Sequence, residues 1–258
     1  MSAVAFTRLL AAACWRESVT WWSLRSFLVT LIIGQSVAPL LGLLVWSSAL
    51  PAARGVTSYY LALTAVQLLT VSFEHHTLSN TIYDGTFADR LVRPQPPLLE
   101  VVAANLAIRL WYGIFGLPAV VALAAAAGAL PRASALAAAA GSLLLAMALR
   151  FCLTCAPALS AFWTERAHGA VSLMETLLFL LGGVAVPLAL LPGAAGETAR
   201  LLPFWSALGA PAEIASGEVA GLAVTRVLLI QAGWLLLLAG MLGLVWRRGI
   251  RRFAAVGG

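Results

Sequence analysis

Six stretches of this chain are apolar over about the length a helix needs to cross a hydrocarbon core of ~30 Å. They run approximately over residues 26–49, 57–74, 101–129, 134–162, 170–192 and 221–246. Only 10% of the 258 residues are charged and 62% are hydrophobic. A soluble domain carries roughly a quarter charged residues, so this chain has too little polar surface to face water all round. The reading is an all-α integral membrane protein with six transmembrane helices, its length used in spans rather than in soluble domains. The spans around 101–129 and 134–162 are rich in Ala and Gly, which lets helix backbones approach closely.

Residues 1–25 precede the first span. Phe6, Leu9, Leu10 and Ala13 recur at helical spacing among Arg8, Arg16 and Glu17, and Trp15, Trp21 and Trp22 suit the headgroup level. This predicts an interfacial helix followed by a turn into the span. The apolar stretch before Cys14 is too short for a signal peptide, so no cleaved leader is expected. All sixteen basic residues are Arg. With no Lys, the chain has no P-loop, and ATP is not expected to bind it through that motif. Placing the N-terminus inside puts ten Arg in the inner segments (8, 16, 25, 90, 93, 166, 247, 248, 251, 252). Three face out (54, 132, 200), and those within spans are left aside. That asymmetry predicts cytoplasmic termini.

On this topology residues 75–100 are cytoplasmic. In "TIYDGTFADRLVRPQPPLLE" (81–100), Tyr83, Phe87 and Leu91 form an i, i+4, i+8 apolar stripe, and Asp89 and Arg93 form an acid-before-base pair. Gly85 and Pro94-Gln95-Pro96-Pro97 bracket the segment. The pattern describes a short amphipathic helix, either simply solvated or laid into a partner's groove. Asp84-Gly85-Thr86-Phe87-Ala88-Asp89-Arg90 resembles the opening of the CDP-alcohol phosphotransferase motif. Asp89 stands where that motif has Arg, Thr81 where it has Asp, and no Asp follows Asp89, so two divalent ions could not be held.

Further along, Pro187, Pro192, Pro203, Phe204 and Pro211 fall between the fifth and sixth spans. They predict a fifth helix that ends early, then short re-entrant or external helices over 193–220, since freed backbone groups at membrane depth need protein or a wet cavity around them. Within the spans, Gln35 and Gln67 either line a path or bridge helices. Arg109 or Arg150 is a candidate ion-pair partner for Glu175. Glu74, His75 and His76 read as a solvated cluster at the membrane edge. Cys152 and Cys155 have CxxC spacing inside an apolar run and read as buried small residues. Trp163, Glu165, Arg166 and His168 form a second short cytoplasmic loop.

Asp84-Gly85, then Leu91-Val92-Arg93-Pro94, and the later run Gly183, Pro187, Leu188, Leu191, Pro192, Leu202, Pro203, Phe204, Pro211, Glu213, Gly217 together resemble the permease subunits of ABC-2-type transporters. They are closest to the bacterial branch with a Gly…Arg-Pro cytoplasmic loop. Asp84 departs from that pattern, where a small or basic residue is expected. The resemblance implies a permease, usually an exporter, paired with an identical or related six-span copy in the bacterial cytoplasmic membrane. It implies contact with two copies of a cytoplasmic ATPase that binds ATP and Mg, with no cofactor in this chain. It makes 81–94 the coupling segment, with Tyr83, Asp84, Gly85, Phe87, Arg90, Leu91, Arg93 and Pro94 as contact candidates. The alternatives are a self-sufficient carrier or channel, which would show paired midplane charges or repeated broken helices, and a non-transporting scaffold. Nothing in the sequence suggests a nucleic-acid partner.

Overall fold

A computed structural model describes residues 3–50, 55–164 and 167–253, the side chains of Ala3, His75 and His76 excepted. Arg54, Glu165, Arg166 and 254–258 lie outside the described residues. No strand occurs among those described. The long helices are α1 (Ala3–Ser23), α2 (Arg25–Ala49) and α3 (Val56–Thr70). Two short helices follow, α4 (Asn80–Tyr83) and α5 (Phe87–Leu91), then α6 (Leu99–Ala126), α7 (Ala133–Ala158) and α8 (Ala167–Leu181). Three more short ones, α9 (Gly193–Arg200), α10 (Pro203–Ala207) and α11 (Gly209–Ser216), precede α12 (Leu222–Arg252).

Among the described residues, four helices are long and apolar enough to cross a membrane: α2, α6, α7 with its 3₁₀ extension to Phe162, and α12. The other two expected spans are shorter. Both α3 and α8 have 15 residues, about 22 Å at 1.5 Å per residue, less than a ~30 Å core. The run expected as the second span is therefore helical only to Thr70 rather than to 74. The chain continues extended from Val71 and then through one π-helical turn, His75–Ser79. The fifth stops at Leu181 rather than at 192.

Short as it is, α3 is the centre of the bundle. Ten of its fifteen residues are buried, so it is apolar all round, as a helix enclosed by others must be. Gly116 of α6 lets it sit close, since a Cβ there would fall 2.8 Å from Leu68 Cδ1 and 3.2 Å from Ile32 Cγ2. On the other side, α11 buries Gly209 through Ala215 against α3 and α7. The segment expected to be re-entrant does enter the bundle. Pro192 caps α9, and Pro203 opens α10, where its missing N–H costs nothing. Phe204 is partly buried against the same core.

The junction of α1 and α2 is a single non-helical residue, Leu24, with backbone hydrogen bonds continuing on either side, Leu24 N–H to Thr20 O and Leu28 N–H to Leu24 O. The second half of α1 lies along α6. Trp22 stacks on Trp111 at 5.4 Å, and Trp111 Nε1 donates to Ser18 O.

Gly183, just past the end of α8, has φ +89, and a Cβ there would collide with the Tyr59 hydroxyl. Gly183→Ala is expected to lower stability by about 1–3 kcal/mol, read as thermal unfolding in detergent. Gly233→Ala, whose Cβ would meet nothing within 4 Å, is expected to be silent or slightly stabilising.

Candidate functional site

The early end of α3 defines the first part of the site. A helix leaves its last carbonyls without intrahelical donors, and here they lie inside the bundle. Arg109, reaching from α6, supplies the donors. Its Nε donates to Val71 O at 2.8 Å, and one terminal nitrogen reaches Thr70 O (3.3 Å), Ser72 Oγ (2.9 Å) and Met147 O (3.2 Å). A guanidinium suits this position because its donors form a fixed fork and a cation is favoured at a helix C-terminus. Asn105, one turn before Arg109, accepts the Phe73 N–H at 3.2 Å.

Around this cap lies a buried polar cluster. Arg150 on α7 is 2% exposed; it donates to Thr70 Oγ1 (3.3 Å) and faces Glu175 on α8 at 3.4 Å. Of the two arginines proposed for Glu175, Arg150 is thus the partner, and Arg109 is used as a cap. Glu74 is not a solvated edge residue. It is fully buried, and Thr154 Oγ1 donates to its Oε2 at 2.6 Å. Its carboxylate had to be found by tertiary contact, because α3 ends before it. Gln67 Nε2 donates to Gln35 Oε1 at 3.3 Å, so these amides bridge α3 and α2. Cys152 and Cys155 are buried free thiols, and no metal-binding group of His, Cys, Asp or Glu occurs among the described residues.

The end of α8 is capped in the same manner by aromatic donors that the sequence reading missed. Tyr59 Oη donates to Gly183 O (2.9 Å), Tyr60 Oη to Val184 O (3.3 Å) and Trp46 Nε1 to Ala185 O (2.9 Å). Pro187 then turns the chain into a 3₁₀ turn, Leu188–Leu190. Glu213 of α11 is fully buried, held by Trp205 Nε1 at 3.1 Å and Arg200 at 3.2 Å. Gln231 of α12 donates to Ser206 O and Ser142 O.

The 81–94 segment lies at the opposite end of the bundle. It is two short helices rather than one, separated at Gly85, whose φ of +72 favours glycine. The apolar stripe faces inward. Phe87 is 0% exposed and sits edge-on to Phe162 (5.7 Å), Trp246 (5.9 Å) and Phe253 (5.5 Å). Leu91 packs on the same cluster. Tyr83 Oη accepts the Ala167 N–H at 2.6 Å and donates to Thr164 O at 3.2 Å. The stripe therefore binds the chain's own α7, α8 and α12 and is not free for a partner. What faces outward is Asp84, Thr86, Asp89, Val92, Arg93 and Pro94, with Val92 84% exposed.

The expected Asp89–Arg93 pair does not form. Glu100, at the start of α6, instead collects Arg93 (2.9 Å), Arg90 (3.3 Å) and Arg16 of α1 (3.3 Å). Burial lowers the Arg90 pKa from its usual value and Glu100 opposes the shift, which keeps this partly buried cation paired. Arg93 and Pro94 thus close the loop onto α6.

Arg109→Lys keeps the charge but loses the fork, leaving buried carbonyls unpaired. It is expected to cost about 2–5 kcal/mol, seen as a lowered unfolding temperature in detergent. Glu175→Gln leaves the buried Arg150 a neutral acceptor in place of its half-exposed carboxylate and should cost less, about 1–2 kcal/mol. Equal losses from the two variants would show that the cap does not hold α3.

The chain matches the family described as "ABC-2 family transporter protein" over residues 25–257. No curated protein and no solved structure matches it. The match takes in every apolar helix from α2 onward, both broken helices, the loop on Glu100 and the re-entrant segment, and so this chain belongs to the ABC-2 family of transporter proteins, as a membrane permease component.

Proposed function

We propose that this chain is the permease of an exporter whose ATP hydrolysis is carried out by separate subunits. In this reading two cytoplasmic ATPase copies, which hold ATP and Mg, sit against the end of the bundle that carries residues 81–94. Two permeases, identical or related, form the path between them. Both termini are cytoplasmic and the membrane is the bacterial cytoplasmic membrane.

The observation that supports this reading most is how residues 81–94 are built. Tyr83 is tied to the start of α8, and Phe87 is set among aromatic residues from the ends of α7 and α12. A push on the outer ridge would therefore reach three spans through buried contacts, as coupling of ATP hydrolysis to the bundle requires. A scaffold would have no use for such a link. Against a self-sufficient carrier, Arg109 is engaged in capping α3 and Arg150 is paired with Glu175.

The docking face in this proposal is the outer ridge, not the apolar stripe. Val92→Asp, at a position 84% exposed, should leave folding unchanged and reduce substrate-stimulated ATPase activity of the assembled transporter by at least about tenfold, since burying an unpaired charge at the contact costs more than about 1.4 kcal/mol. Phe87→Ala should instead destabilise the chain itself by about 3–5 kcal/mol. Normal coupling in the ridge variant would remove the ridge from the proposal. Affinity purification from the native membrane tests the wider reading: an ATPase at equal stoichiometry is expected, and a chain that always purifies alone would refute it.

A further inference from the structure

On the side of the bundle away from the termini, α3, α6 and α7 diverge to leave an open cleft of about 590 Å³. Its walls are apolar, formed by Leu61 and Ala65 of α3, Leu117 and Val121 of α6, and Leu136 and Ala140 of α7, with Pro211 of α11 at its base. The volume lies in the range of ligand pockets, roughly 300–1,000 Å³. The cleft does not end blindly. It shares Ser58, Ala129, Leu130, Pro131 and Ala215 with a second hollow of about 460 Å³. That hollow is polar, carrying Thr57, Ser58, Ser216 and the cation Arg132.

The Ser58 hydroxyl donates to Gly55 O and that of Ser216 to Glu213 O. Their donors are thus engaged, and Arg132 is left as the cation facing any occupant. No carboxylate among the described residues lies within ion-pair distance of Arg132. The nearest acid to this hollow is Glu218, beside Gly55. An apolar slot that opens onto one cation without an ion-pair partner, among the described residues, matches an amphiphile with one negative headgroup.

We infer that the cleft binds one acyl chain of an anionic phospholipid from the leaflet opposite the termini, with the phosphate at Arg132. The slot excludes a headgroup, since burying an unpaired charge against these side chains is strongly disfavoured. The hollow in turn offers an acyl chain less apolar surface than the slot, and it carries the hydroxyls and Arg132 that suit a headgroup. The two together fix the orientation of the lipid. A second copy of this chain, the other candidate for an apolar face, would have no reason to meet Arg132.

The site is tested on the full chain without any ATPase, so its failure would leave the transporter reading untouched. The protein is placed in phosphatidylcholine vesicles containing phosphatidylglycerol with a photoreactive group in its acyl chain, and crosslinked peptides are mapped. Most adducts should fall on 58–69, 117–124 and 136–143. Adducts spread evenly over the exposed faces of α2 and α12 would overturn the site. Ala140→Trp, at a surface position, should cut adducts in those peptides several-fold. Arg132→Gln should reduce the preference for phosphatidylglycerol over a phosphatidylcholine probe about fivefold, with acyl-chain labelling retained. Unchanged labelling in the first variant, an unchanged preference in the second, or a loss of self-association in either would overturn the proposal. The wild-type map decides the matter even if a variant fails to fold.

Discussion

A helix that stops inside a packed bundle leaves carbonyls that water cannot reach, and the guanidinium of Arg109 meets that need at the end of α3. Without it the helix would have to continue, and Val71, Phe73 and Glu74 would be carried on round its surface. With it, the chain leaves α3 in an extended stretch and turns through His75–Ser79 toward the loop. The polar cluster of Arg150, Glu74, Thr154 and Asn105 is a consequence of that ending, since each lines the space opened by the break. A buried ionic cluster is weak evidence for stability by itself. Here Asn105 satisfies a backbone group freed by the break, while Arg150, Glu74 and Thr154 bond side chains around it.

The end of α8 poses the same problem at the other end of the bundle, and neutral donors answer it. Tyr59 and Tyr60 stand in the first turns of α3, so the beginning of one broken helix caps the end of the other. The two short helices are thereby coupled in a way that the four long ones are not. Neutral donors, two hydroxyls and an indole N–H, suffice beyond Leu181 because the three carbonyls there each take one separate bond. The α3 end presents two carbonyls and a hydroxyl close together, and there one forked side chain does what separate donors would crowd.

The apolar runs made a multi-pass helical membrane protein legible, and four of the six are helices long enough to cross a bilayer among the described residues. The break after α8 was legible from Pro187, Pro192 and Pro203, which stand at the starts of the short elements that follow it. The early stop of α3 was not. "VSFEHH" contains neither Gly nor Pro, and the residue that ends the helix lies 38 positions away on α6. Periodicity likewise showed that Tyr83, Phe87 and Leu91 share a face, which the structure bears out for Phe87 and Leu91. It carried no information on what that face meets. Phe162, Trp246 and Phe253, which cover it, belong to segments no local pattern connects to the loop. The pull of Glu100 on three arginines was invisible for the same reason.

The forces that hold the loop differ in strength, and the difference decides how it can act. Arg93 and Arg16 are half-exposed where they meet Glu100, and exposed ion pairs contribute roughly 0–1 kcal/mol. Phe87 is wholly enclosed, and removing a buried aromatic ring costs about 3–5 kcal/mol. The loop is therefore fixed to α7 and α12 by its aromatic ring and only steered toward α6 and α1 by charge. A Cβ on Gly249 would collide with Phe162, so α12 approaches the ring cluster as closely as its backbone allows. Little slack remains between them. A load applied at Val92 would be resisted first by the weak arginine contacts and then passed to the ends of two long spanning helices, which is the order a lever requires.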